Sequence, residues 1–253
     1  MDYRPLFIKT CATFLAGLLL LAPTTALCEG ADKEQESAPS PCRQWEDPFH
    51  VFSHARWATR LSFNRDQGVA HVQNGYLSLV APTAYPAGVE IRSRFQLVGD
   101  FAVETGYEAE DTKAKRGCLF QGGLFLMTAN GATRWHGDVV REGNRLAYAA
   151  RWERKDSVDY EHVKGLDASL TGTLRLERRD GRITVSAGSL GDMRKIHEFT
   201  IATETPLLVG YHFKSGRRTG TGLACPAFIR FRDFSIPSCR GASPLDANPF
   251  DFH

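Results

Sequence analysis

The stretch TRWHGDVVRE (133–142) brings a guanidinium, an indole, an imidazole and a carboxylate into the span Arg134 to Asp138. If it is a strand, successive side chains point to opposite faces. Arg134, His136 and Asp138 then share one face and Trp135 takes the other. Gly137 is a residue type at which strands bend or bulge, which would re-aim Trp135 toward His136. Tyr148 and Trp152 stand on one face of the next strand-like run. Aromatic rings stack on sugar C–H faces, and Arg and Asp bridge sugar hydroxyls. Arg134, Trp135, His136, Asp138 and Trp152 therefore form a candidate carbohydrate-binding patch. The competing reading buries Trp135 in a core, where most Trp of β proteins sit, and leaves the polar three in solvent.

A second cluster, ETGYEAED, supplies Glu104, Glu108, Glu110 and Asp111. On a strand, residues i and i+2 lie roughly 6.6–6.8 Å apart at Cα. Glu108 and Glu110 can thus approach the ~5.5 Å carboxyl separation of a retaining glycosidase. The bland alternative is a solvated charge run entering the loop DTKAKRG. Other motifs fail on context. Gly220-Thr221-Gly222 lacks a third glycine and a following helix. AGSLG (187–191) lacks the first glycine of a nucleophile elbow. His50 and His54 are four apart but not on a helix. No His/Cys/Asp set has metal-ligand spacing, so no metal or cofactor is expected, with a structural calcium left open. There is no N-x-[ST] glycosylation site.

The elements that must position these residues read as strands. Apolar residues recur at spacing two from Trp45 to Pro237, with no convincing amphipathic helix. Asn74-Gly75 and Asp180-Gly181 stand between alternating runs, a strong hairpin signal. Further strands are expected in GCLFQGGLFLMTA, TRWHGDVVRE, RLAYAARWER, KIHEFTIA, PLLVGYHFKS and AFIRFRDFSI. The first of these is apolar on both faces and therefore central. In GVEIRSRFQLVGDFAVETGYEAE (88–110), Ile91, Ser93, Phe95 and Leu97 share a face, as do Phe101, Val103, Thr105 and Tyr107. Gly99-Asp100 suggests a hairpin with a three-residue loop (98–100), which sets Leu97 beside Phe101 and Arg94 beside Glu104. Glu90, Arg92, Arg94 and the later glutamates would then be the wet side of a sheet.

The chain has 253 residues, 42% of them apolar, and a net charge of +2 with scattered Lys and Arg. That allows one large β domain and leaves no basic stripe for nucleic acid. Residues 1–28 read as a signal peptide: Arg4 and Lys9, a short apolar run, then small residues. Cleavage after Ala26 or Cys28 fits. Lipidation at Cys28 is the alternative, against which Leu27 argues. No segment offers the roughly 20 apolar residues of a membrane span. Residues 29–44 read as a disordered spacer, 45–239 as the folded domain and 240–253 as a second tail. Export to the periplasm, the cell surface or the medium makes disulfides the default for Cys42, Cys118, Cys225 and Cys239. Cys42–Cys239 is expected because these residues bracket the domain and domain ends lie close together. Cys118–Cys225 follows by elimination.

The order of GYLSLVAP, GVEIRSRFQLVGDFAVETGYE, GTLRLERRDGRITV and FIRFRDFSI resembles the concanavalin A-like lectin/glucanase superfamily. Within it, the chain is similar to secreted bacterial domains of unknown function with the same GDF strand. The resemblance spans about Pro48 to Ile236. It implies an all-β, two-sheet antiparallel jelly-roll sandwich, one sheet concave, that binds or cleaves glycans on that sheet or its rim. Glycosidases of the superfamily often carry E-x-D-x-x-E or E-x-D-x-E on a concave strand, and ETGYEAED departs from both. Fold does not fix function. Three functions stay open: non-catalytic polysaccharide binding, which leads; a glycoside hydrolase or polysaccharide lyase; and a cell-surface protein-interaction module. Ligand identity and oligomeric state are not legible.

Overall fold

Asn74-Gly75 and Asp180-Gly181 adopt positive φ, 53° and 77° in the first pair and 47° and 73° in the second. Such pairs close two-residue hairpins because Asn, Asp and Gly tolerate that region. The computed structural model describes residues 40–62, 69–81, 87–109, 118–155, 160–189, 191–201, 205–217 and 227–250. The expected leader, Cys28, Glu110, Cys225 and the Cys118 side chain lie outside the described residues, and with them the Cys118–Cys225 expectation. Among the described residues no helix is long and apolar enough to cross a membrane.

The strands are β1 (Trp57–Ser62), β2 (Val69–Gln73), β3 (Tyr76–Ala81), β4 (Ala87–Ala109), β5 (Cys118–Thr128), β6 (Thr133–Glu142), β7 (Arg145–Arg154), β8 (Tyr160–Asp167), β9 (Thr171–Arg179), β10 (Arg182–Ser189), β11 (Asp192–Thr200), β12 (Leu207–Arg217) and β13 (Ala227–Pro244). All pairings are antiparallel. One layer runs β1, the first half of β4, β12, β5, β6, β7, β8. The other runs β2, β3, β13, the second half of β4, β9, β10, β11. Cysteine-led β5 is central, between β12 and β6, as its two apolar faces require.

The expected hairpin at Gly99-Asp100 does not form. β4 is one strand through that point: residues 87–97 pair with β12, and 101–108 pair with β9. Gly99, at φ 68°, bends the strand from one layer into the other. Arg94 is therefore not the partner of Glu104, which lies opposite Arg175 with Nη1 to Oε2 at 3.4 Å. The odd positions Ile91, Ser93, Phe95, Leu97, Phe101, Val103, Thr105 and Tyr107 are nevertheless all buried.

The core sits between the layers. Trp57 packs against Phe95, Tyr211 and Phe234 at centroid distances of 5.9, 5.6 and 5.2 Å. Its indole N–H donates to Asp47 Oδ2 at 2.8 Å, satisfying a buried carboxylate. Each such side chain contributes about 1.5–3 kcal/mol of burial. Cys42, expected in the spacer, is buried in this core and joined to Cys239, their Cα atoms 6.1 Å apart. A link between residues 197 apart contributes ~5 kcal/mol in the chain-entropy model. β13 continues past the expected domain end to Pro244, and the chain then lies on the first layer.

Candidate functional site

Strand alternation decides which side chains of β6 leave the core. A Cβ at Gly137 would lie 3.1 Å from Val185 and 3.3 Å from Leu176, so the odd positions face the second layer. Trp135 is 2% exposed in the core. It pairs with Trp152 across an unshifted ladder, so Gly137 does not re-aim it. Trp152 also packs on the core, and the Tyr148 and Tyr107 hydroxyls are hydrogen-bonded there at 2.9 Å. Arg134, His136 and Asp138 do share the outer face, but His136 and Asp138 are buried rather than solvated. Glu108 lies in the other layer, half out in solvent, 3.8 Å from Arg230. Glu108 and the Arg134 cluster are thus separate.

The strand register assembles the outer face in rows. Glu90, His212, Gly123, Asp138 and Ala149 form one row, and Arg92, Gly210, Phe125, His136 and Arg151 the next. His212 and Asp138 are two strands apart, roughly 9–10 Å along the row. They meet because Gly123 between them has no side chain: a Cβ there would stand 2.7 Å from Asp138 Oδ1. His212 Nε2 lies 2.6 Å from that oxygen. In the second row, Gly210 leaves room for the Phe125 ring, whose Cζ an added Cβ would overlap.

Polar side chains surround this dyad, although His212 Nδ1 and Arg151 Nε are buried with no hydrogen-bond partner among the described residues. Gln121 Nε2 donates to Asp138 Oδ2. Arg151 Nη1 donates to Glu153 at 2.8 Å, and its Nε is 3.7 Å from Asp138. Arg151 Nη2 lies 3.0 Å from His136 Nδ1. A guanidinium only donates, so His136 Nδ1 accepts and its Nε2–H points to Glu153 Oε1 at 3.2 Å. Glu90 is shared between Arg92 and Arg134, the latter at 3.1 Å.

The protonation states follow. Burial pushes His136 well below its ordinary range, and the Arg151 guanidinium pushes it further. Burial also lowers His212, although Asp138 opposes this. Both imidazoles are neutral at pH 7. Burial alone would raise Asp138, but His212 and Arg151 outweigh it and hold the carboxyl well below the usual range. Glu90 is likewise lowered: Arg134 and Arg92 overcome its desolvation. His136, Asp138 and His212 offer ligand-type atoms within 4.8 Å of one another. Arg151, however, sets a fixed cation against two of the three, and one carboxylate is far from the six to eight oxygens calcium takes. We read the group as an ionic network.

Sequence reasoning missed Glu90, Arg92, Gln121, Arg151, Glu153 and His212. Two signals were present. Glycines stand in the bulky strands at Gly123 and Gly210, and four strands carry polar pairs two apart: Glu90/Arg92, His136/Asp138, Arg151/Glu153 and His212/Lys214.

No family model matches the chain, and no curated protein does. Solved structures do. LamAcat from Zobellia galactanivorans is 12% identical with a TM-score of 0.54, over 76% of this chain and 95% of that one. A glycoside hydrolase family 16 endo-glucanase from Bacteroides ovatus is 12% identical at a TM-score of 0.54, over 76% and 98%. A legume lectin-like domain from Entamoeba histolytica is 10% identical at a TM-score of 0.50, over 72% and 90%. This is the concanavalin A-like jelly roll. The expected fold class is met, and identities this low speak for the fold alone. The jelly roll places the ionic network on the outer face of one layer. There Arg134, Glu153 and Glu90 are half-buried and Lys214 is exposed.

Proposed function

We propose that this protein is an exported, non-catalytic polysaccharide-binding jelly roll whose ligand lies on the outer face built by β4, β12, β5, β6 and β7. One observation carries the choice of binding over cleavage. Glycosidases need one carboxyl held protonated by a raised pKa. Here Glu90 and Asp138 are held ionised, and Glu153 is tied to Arg151 and His136. A buried base tied by ion pairs is suited to holding shape. It fixes Arg134, Glu153 and Glu90 where donors and acceptors can bridge sugar hydroxyls, with Lys214 beside them. Phe125, beneath Arg134 at 5.6 Å, supports that guanidinium. The indoles Trp135 and Trp152 take no part in this reading, because they belong to the core.

The similarity to glucanases, among them a structure in complex with laminaritriose and laminaritetraose, suggests β-glucans for a first panel. The test is affinity electrophoresis through gels containing laminarin, mixed-linkage glucan, xyloglucan or a uronate polysaccharide, with released reducing ends and unsaturated products assayed on the same samples. Retardation without product supports binding. Product release moves the chain to the hydrolases or lyases. No retardation on any polymer favours the protein-interaction alternative.

A further inference from the structure

Beyond β13, residues 245–250 run across the same outer face. Leu245 N–H donates to Arg94 O at 2.8 Å, fixing the segment to β4 where the strand pairing ends. The Leu245 side chain packs on Phe125, Met127 and Leu208, an apolar cluster separate from the core between the layers. Further on, Arg92 Nη1 donates to Pro249 O at 2.7 Å, and the Arg92 guanidinium lies 4.3 Å from the Phe250 ring centroid. Phe250 is only 9% exposed. A carbonyl oxygen and an aromatic face are thus both presented to one buried arginine. That arginine shares Glu90 with Arg134. The segment and the proposed ligand therefore draw on one ionic network.

We propose that residues 245–250 are a strap that occupies part of the polysaccharide face and competes with the ligand in cis. This rests on the reading of that face as the binding face. Two features favour a seated competitor over a passive tail. Its contacts are made by unlike groups at two separated points: Leu245, through both its backbone and its apolar side chain, and the Arg92 clamp at Pro249 and Phe250. The strap also holds Arg92 by an oxygen and a ring, groups a polysaccharide can replace with a hydroxyl and a sugar face. When the strap lifts, the Phe125 cluster and the strap-facing side of Arg92 are uncovered, while Glu90 stays paired with Arg92 and Arg134.

The test compares the full chain with a variant ending at Pro244. A strap seated nine-tenths of the time leaves about one molecule in ten competent, so its removal raises apparent polysaccharide affinity about tenfold. The peptide LDANPFDFH, at an effective concentration of about 1 mM when tethered, should bind the shortened protein with a Kd near 0.1 mM. It should bind the full chain at least about tenfold more weakly. Arg92→Gln in the shortened protein should abolish peptide binding. Phe250→Ala in the full chain should raise polysaccharide affinity in the same direction, which keeps the test open if the shortened chain does not fold. Peptide capture by the shortened form alone, with no polysaccharide retained by either protein, upholds the strap and overturns the polysaccharide reading. Equal polysaccharide affinity in both proteins, with no peptide capture, overturns the strap and leaves that reading standing.

Discussion

Gly123→Ala tests the assembly of the outer face at its narrowest point. The new methyl group would start against the Gly137 carbonyl oxygen, 2.7 Å from Asp138 Oδ1 and 2.8 Å from Asp138 Cα, so the β6 backbone must give way and carry Asp138 with it. Overpacking of this kind costs roughly 1–3 kcal/mol. Losing the 2.6 Å contact between His212 Nε2 and a carboxylate adds about 1.5–3 kcal/mol, the worth of a charged hydrogen bond. Gly123 has no positive φ, so alanine suits the backbone and returns about 0.4–1 kcal/mol through the unfolded chain. The net loss is about 1.5–5.5 kcal/mol, or roughly 3–22 °C in Tm for a domain of this size. Urea unfolding measures the loss, and the imidazole nitrogen shifts of His212 report the broken contact. A variant within about 0.5 kcal/mol of the parent with unchanged His212 nitrogens would show that Gly123 does not gate the dyad.

Three further outcomes are expected. Trp135→Ala should cost roughly 3–5 kcal/mol as a core truncation, while the folded fraction keeps its polysaccharide retention; retention lost at unchanged stability would put the indole at the ligand. Double-mutant cycles should couple Glu104 to Arg175 by about 0.2–1 kcal/mol and to Arg94 not at all; the opposite pattern would restore the hairpin. Stability should fall as pH drops below ~6.5, because the unfolded chain protonates its histidines there while buried His136 and His212 resist. Asp138 and Glu90, lowered in the fold, extend the loss below about pH 4.5. His136→Gln should flatten the upper part of that decline in a melting-temperature series, and an unchanged profile would mean the buried imidazole is not what titrates.

The alternation of apolar residues made most strands legible, and Asn74-Gly75 and Asp180-Gly181 marked their hairpins because only a tight turn needs two adjacent positive φ values. Gly99-Asp100 misled. A glycine at positive φ can bend a long strand as well as end one, and Leu97 and Phe101 keep the same inward parity either way. Within β6 the face of Arg134, His136 and Asp138 followed from spacing alone. Their partners did not, because no local period tells that His212, far along the chain, lies two strands away across Gly123. The charged face of Glu90 and Arg92 resembled a wet surface for the same reason: the second cation on Glu90, Arg134, comes from β6, and the cover of Arg92 comes from residues 249–250.

The central claim is that the outer face binds polysaccharide without cleaving it. The most direct measurement is retention of the full chain and its Arg134→Ala and Glu153→Gln variants in polysaccharide gels, with reducing ends assayed in parallel. The account predicts retardation of the parent, weakened at least about tenfold in each variant, and no product from any of them. Reducing ends or unsaturated sugars released by the parent, or retention untouched in both variants, would contradict it.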